Sequence, residues 1–382
     1  MSHGVRAHGE AAATAAGRWR AKTVLFCMPI LTVIFAVLLT LAAGLGVAAL
    51  ATRRASRRLE ARFPPAGTRV EAGGGAIQVL RLGPAPAPER PTLLLLHGAP
   101  GSAADLRALG ERLTHGAAAL PVLVPDRPGS GWSGRPGGDA DAALGRQAEL
   151  IRAAVQALGA RRVLVVGHSF GGAVALRYAL DHPDEVAGLV LVNPATHPRP
   201  GGLKWFQAAA EKLLTGPLFT RTLATPLSLA ALETATARMF APEPLPVGYL
   251  DASALALAMT PERFHHTMQD FMRLRGELIA QAPRYAALTA PLTLILGTAD
   301  ATVPPADHGE VLARELPAAR VVRIEGAGHM LHRGHAGLVA GEVGRLAAAL
   351  LAEDVLAHVM VRDAVAGGTA AALPAHRPDS RF

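Results

Sequence analysis

Residues 162–172 read RVLVVGHSFGG, and this stretch decides the fold. Within the strand expected at Arg162–Val166, VLVV is apolar at every position and mostly β-branched, the composition of a strand buried on both faces. Gly167-His168-Ser169-Phe170-Gly171-Gly172 follows and opens an apolar helix near 171–182. A serine flanked by glycines at a strand-to-helix turn has a physical reason. The turn is too sharp for large neighbours, and it lifts the hydroxyl above the sheet edge as a candidate nucleophile.

Working outward, further strands are expected at Thr68–Ala72, Ala76–Leu82, Thr92–Leu96, Val122–Val124, Gly188–Val192, Leu292–Leu296 and Arg320–Ile324. Helix-length segments near 103–115, 142–158, 305–316 and 336–351 alternate with the later ones. Two antiparallel strands followed by repeated β–α units predict one doubly wound, mostly parallel α/β sheet. The core is expected over 68–194 and 289–352. Residues 195–288 carry helical patterning without a strand, too long for a bare loop, and are expected as an inserted helical cap.

A serine hydroxyl needs a base, and the base needs an orienting acid. In a sheet of this type the chain order is Ser, acid, His. Asp300 follows LTLILGTA and His329 follows VVRIEGAG, each in a Gly-containing loop just past a strand, where such sheets place their sites. An oxyanion hole requires two backbone N–H groups. Phe170 offers one at the helix start. The loop His97-Gly98-Ala99-Pro100-Gly101-Ser102 offers the other, at Ala99, because Pro100 has no N–H.

Together HGAPGS, DRPGSGWS (Asp126–Ser133), GHSFGG, GTADATVP (Gly297–Pro304) and GAGHMLH (Gly326–His332) resemble the α/β-hydrolase superfamily over residues 68–350. The resemblance implies a capped, esterase- or lipase-like serine hydrolase, with Ser169 as nucleophile, Asp300 as acid and His329 as base. Epoxide hydrolases and haloalkane dehalogenases carry Asp at the elbow, which Ser169 opposes. Cofactor-free haloperoxidase-like members share the same three residues.

HGxPGS and DxxGSGxS also resemble proline iminopeptidases. Those usually have a second Gly where this chain has Ala99, and Trp where it has Phe170. They hold the substrate amine with cap carboxylates, for which Glu211, Glu233, Glu243 and Glu262 are candidates. A non-catalytic binding protein of the same fold would be expected to have lost one of the three residues.

No cofactor or metal is expected. One cysteine excludes a Cys-cluster metal site or a disulfide scaffold. His329, His332 and His335 invite a metal reading, but a catalytic His must keep its ring free. The cap's aromatic and Met residues, including Trp205, Phe206, Met239, Phe240, Tyr249 and Phe271, are expected to form its core and part of an apolar acyl pocket.

The net charge of +8 could suggest nucleic acid. However, residues 1–70 hold ten Lys/Arg and two acids, leaving 28 of each in the remainder, so the body is neutral and no nucleic-acid partner is expected. Thr23–Thr52 is a run of 30 uncharged residues, ample for a membrane span, which needs ~20. A signal peptide would have an apolar region of only ~7–15 residues. Cys27 sits at the start of the run, the wrong place for lipoprotein processing.

The expected organisation is a tail (1–22), a transmembrane anchor (23–52), a basic juxtamembrane linker (53–67), the capped core, and a C-terminal tail (353–382). This implies a single-pass protein of a bacterial inner membrane, touching lipid through the N-terminal helix and acting on a small-molecule ester. The flanking charges, four before the run and six after, do not fix its side.

Overall fold

The structure, a computed structural model, describes residues 4–88, 90–115, 120–198 and 216–368. Helix α1 (Gly4–Arg62) precedes a sheet of β1 (Thr68–Ala72), β2 (Gly75–Leu82), β3 (Thr92–Leu96), β4 (Val122–Pro125), β5 (Val163–His168), β6 (Val186–Val192), β7 (Leu292–Gly297) and β8 (Arg320–Ile324). The strand order is β1-β2-β4-β3-β5-β6-β7-β8. Only the β1–β2 and β2–β4 pairings are antiparallel. Every residue of β3, β5, β6 and β7 is buried, as their largely apolar sequences require, whereas edge strand β8 is partly exposed.

Alternate strand residues feed two cores. Leu94, Leu96 and Val165 pack with Ile151 of α3 (Leu144–Ala157) and Val174 of α4 (Phe170–Asp181). Leu93, Leu95 and Val166 face the other way, toward Leu106 of α2 (Ala103–Leu113) and Val343 of α8 (Ala336–Gly368). Between β6 and β7 stand the cap helices α5 (Thr225–Phe240) and α6 (Pro261–Gln281), and α7 (Gly309–Glu315) joins β7 to β8. The cap has its own small core of Phe240, Tyr249 and Leu255, closed by Met330 from the body.

Both flanking segments carry helix. The basic segment expected as a juxtamembrane linker over 53–67 begins as a continuation of α1, which runs to Arg62 because Arg, Ala, Leu and Glu are good helix formers and nothing breaks the helix before Pro64-Pro65. The helix likewise begins at Gly4, within the expected N-terminal tail. The tail expected from 353 is helical as far as Gly368, since no proline interrupts that Ala- and Val-rich stretch. Residues 369–382 lie outside the described residues.

The end of α1 is docked on the cap. Thr52 Oγ1 donates to the Thr222 carbonyl at 2.6 Å, Arg62 grips both carboxylate oxygens of Asp251 at 2.8 Å, and Arg263 Nη1 meets Glu60 at 3.0 Å. Trp132 Nε1 donates to the Phe63 carbonyl at 3.0 Å, and the Arg263 guanidinium covers the Trp132 ring.

Candidate active site

Ser169 stands between β5 and α4 with φ 54° and ψ −119°. Such a conformation is costly for a side-chain-bearing residue and persists only where the surroundings enforce it. Here they do. Ser169 N–H donates to Val192 O at 3.1 Å, and its carbonyl accepts from Gly172 and Ala195. A Cβ at Gly171 would lie 2.2 Å from the Leu96 carbonyl, and one at Gly167 would lie 2.7 Å from the Gly171 carbonyl. Only glycine permits these approaches, which is the constraint visible in GHSFGG.

Asp300 and His329 come together at the ends of β7 and β8. His329 Nδ1 donates to Asp300 Oδ2 at 2.6 Å, and both side chains are buried. The other Asp300 oxygen accepts the N–H groups of Thr302 (2.8 Å) and Val303 (2.9 Å). The carboxylate is therefore fixed, and the proton it holds on Nδ1 leaves His329 Nε2 with a lone pair.

Three polar residues to which the sequence assigned no role hold the loops of the site: Asn193 beside this pair, and Arg127 and His97 at the loop after β3. Asn193, at the end of β6, donates through Nδ2 to the carbonyls of Gly328 and His329, both at 3.0 Å, and accepts Gly297 N–H at 2.8 Å. It thus ties both loops together. A lone amide closing the apolar run LVLV was its only signal.

Arg127 is buried behind the loop after β3. It donates to the carbonyls of His97 (3.1 Å) and Gly98 (3.3 Å), and its guanidinium lies 4.3 Å above the Phe170 ring. Its charge is met by Asp270 of α6 at 2.8 Å, which also binds buried Arg135. Burial lowers the Arg127 pKa, with Asp270 acting against the shift.

His97 is not a second base. Its Nε2 accepts Arg127 N–H at 2.9 Å and its Nδ1 donates to Gly98 O at 2.7 Å. Burial, reinforced by the Arg127 charge, pushes its pKa down to about 3.

His329, His332 and His335 do not converge. His332 Nε2 donates to Asp105 Oδ2 at 2.9 Å, and His335 Nε2 to Glu243 Oε1 at 2.6 Å. A second buried group does form, of Asp105, His168 and His332, whose ligand atoms lie within 4.8 Å of one another. The Nδ1 atoms of His168 and His332 have no hydrogen-bond partner among the described residues. Asp105, however, is occupied by His332 and by Tyr249 Oη at 2.8 Å. Two bare imidazole nitrogens are an incomplete set for a four-coordinate metal. The group reads instead as a packing chain: the His168 ring lies 4.2 Å from that of His332 and 4.8 Å from that of His329.

A cleft of about 480 Å³ opens over Ser169, with Ala99 and Phe170 in its wall beside Met239, Phe271 and Leu278. A Cβ at Gly98 would approach Ser169 Cβ to 3.3 Å, so the expected Ala99 and Phe170 loops do meet at the serine. None of the described lining residues is Asp or Glu. Of the acids considered as amine anchors, Glu233 and Glu262 are exposed and Glu243 binds His335 and Gly328 N–H. Glu211, like Trp205 and Phe206, lies outside the described residues.

A family model of the alpha/beta hydrolase fold matches residues 91–336. The chain is 34% identical over 264 residues to the magnesium-chelatase 30 kDa subunit of Rhodobacter capsulatus, covering 66% of this chain and 84% of that one. A bacterial membrane phospholipase A of known structure is similar at 25% identity with TM-score 0.58, over 83% of this chain and 97% of that one. An esterase from Exiguobacterium antarcticum shares the fold at 21% identity with TM-score 0.58, over 74% and 99%. By sequence and by fold, the chain belongs to the α/β-hydrolase family.

Proposed function

We propose that this protein is a membrane-anchored serine hydrolase that cleaves a carboxylic ester through an acyl-enzyme. The observation that carries the reading is the strained Ser169 lining an apolar cleft together with Thr302 and Val303, whose N–H groups hold the Asp300 of a buried His329–Asp300 pair joined at 2.6 Å. Ser169 Oγ attacks the ester carbonyl while His329 Nε2 takes its proton. Asp300 holds the imidazole and stabilises its cation. The N–H groups of Ala99 and Phe170 receive the oxyanion. Collapse of the tetrahedral intermediate releases the alcohol, which takes the proton from His329. A water deprotonated by His329 then attacks the acyl-Ser169, and the acid departs as the hydroxyl is restored.

The absence of a carboxylate among the described cleft residues favours an ester over a free-amine peptide, whose ammonium would need one. Similarity to a membrane phospholipase A agrees with an ester substrate.

For the anchor, the described helix Met28–Arg62 is long and apolar enough to cross a membrane. Its side chains around Phe35 and Leu39 are exposed, and Thr32 and Thr40 return their hydroxyls to carbonyls one turn back, satisfying them without water. Arg53, Arg54, Arg57 and Arg58 then meet anionic head groups.

A fluorophosphonate probe tests the nucleophile. Intact protein should be labelled and Ser169→Ala should not; labelling that survives the substitution overturns the proposal. p-Nitrophenyl butyrate should turn over and proline p-nitroanilide should not. Release of the protein from membranes by alkaline carbonate would refute the anchor.

A further inference from the structure

The wall of the cleft over Ser169 is mostly apolar but carries one arginine, Arg275 of α6. Among the described residues its Nε atom is buried without a hydrogen-bond partner and its guanidinium forms no ion pair. Among the described residues, Asp300 is engaged with His329, Glu243 with His335, and Glu277 with Leu144 N–H, and none of them pairs with Arg275. A guanidinium partly withdrawn from water and facing no counter-charge is unfavourable until something supplies one.

Arg275 is also held in place. Asp270, on the same helix, is clamped by Arg127 and Arg135, all three buried, so α6 presents Arg275 to the cleft from a fixed support. The fork of a guanidinium suits a carboxylate or phosphate, whose two oxygens it can bind together. The charge that Arg275 brings to this wall therefore favours an anion.

We propose that Arg275 is a specificity determinant that pairs with an anionic group of the substrate, so that the preferred esters carry a carboxylate or a phosphate away from the scissile bond. This rests on the reading of Ser169 as nucleophile, and its test separates the two. Matched esters, neutral and anionic, are compared in the full-length detergent-solubilised protein. The carboxylate pair is p-nitrophenyl butyrate against p-nitrophenyl hemisuccinate, and the phosphate pair is 1-monobutyrin against 1-butyryl-glycerol 3-phosphate.

In at least one pair, wild type should show the higher kcat/KM for the anionic ester, and the pair that does so identifies the anion. Arg275→Met should lower that value roughly ten- to a hundred-fold, the scale of one charge-assisted contact. The neutral ester should change by less than about twofold, which also shows that the variant is folded, and Arg275→Lys should recover part of the loss. Equal anionic-to-neutral ratios in wild type and Arg275→Met, for both pairs, overturn the proposal. Failure of the serine reading appears separately, as loss of fluorophosphonate labelling in wild type.

Discussion

Arg127 Nη1 and Asp270 Oδ2 stand 2.8 Å apart with both side chains shut off from solvent, joining the loop after β4 to the cap helix α6. Arg135 binds the other oxygen of the same carboxylate, and Gln147 Nε2 adds a third donor at 3.2 Å. One acid therefore compensates two buried guanidinium groups. Asp270→Asn would leave that charge unbalanced and should cost roughly 3–5 kcal/mol of unfolding free energy. Denaturant unfolding of purified protein checks this, and a loss under 1 kcal/mol would show that the clamp contributes little.

Asn193 has φ 42°, and its amide holds both the Gly297 N–H and the Gly328 and His329 carbonyls. Asn193→Gly keeps the left-handed backbone accessible while removing the amide. If the amide positions His329, kcat should fall about 100-fold with KM within about twofold, since a shift of ~1 Å in a catalytic group has that effect. Asn193→Ala adds backbone strain and should be less stable than Asn193→Gly. Unchanged kcat in Asn193→Gly would limit Asn193 to a structural role.

The sheet was legible because β3, β5, β6 and β7 are built on apolar runs (LLLL, VLVV, LVLV, LIL), and burial on both faces demands that pattern. The Asp300 and His329 loops were legible because glycines let their chains turn just past a strand. The partners that hold them were not. Arg127 and Asp270 are 143 residues apart and Asp105 and His332 are 227 apart, and no local pattern marks a polar residue that becomes buried only against a distant one. The run of His329, His332 and His335 misleads for the same reason, since each ring finds its own acid from a different part of the chain.

The Asp105–His332 pair offers a second test. His332 and its acid are buried, and Tyr249 from the cap supplies the remaining donor to Asp105. His332→Ala should destabilise by roughly 3–5 kcal/mol, much of it from leaving the acid unpaired. Adding Asp105→Asn should then cost less than that substitution costs alone, with a coupling of about 0.5–3 kcal/mol in a double-variant cycle. Strict additivity would show that the two side chains do not depend on one another.

Two buried histidines set an acid limb. Burial, with Arg127 beside it, pushes His97 down to about 3. Burial, with His332 and His329 nearby, keeps His168 well below 6.5. The unfolded chain takes up these protons near pH 6.5 while the folded chain refuses them. Their contribution is therefore complete above pH 6.5 and is lost as pH falls below it. Each histidine should lower the unfolding free energy by up to about 1.4 kcal/mol per pH unit in that range. His97→Gln should remove one such slope in urea titrations between pH 6 and pH 4, and parallel slopes in variant and wild type would refute the assignment.

Two glycines of similar appearance should respond oppositely to alanine. At Gly171 the added Cβ would lie 2.2 Å from the Leu96 carbonyl and 2.7 Å from the His97 carbonyl, both backbone atoms unable to swing aside. Gly171→Ala must push α4 away from β3 and with it the Ser169 turn, so loss of fluorophosphonate labelling and a destabilisation above about 3 kcal/mol are expected. At Gly276, inside α6, the same Cβ meets nothing within 4 Å. Helix propensity alone then decides, and Gly276→Ala should stabilise by about 0.5–1 kcal/mol. Paired thermal melts and labelling of the two variants check both signs. A tolerated Gly171→Ala would mean that the elbow is far looser than its contacts require.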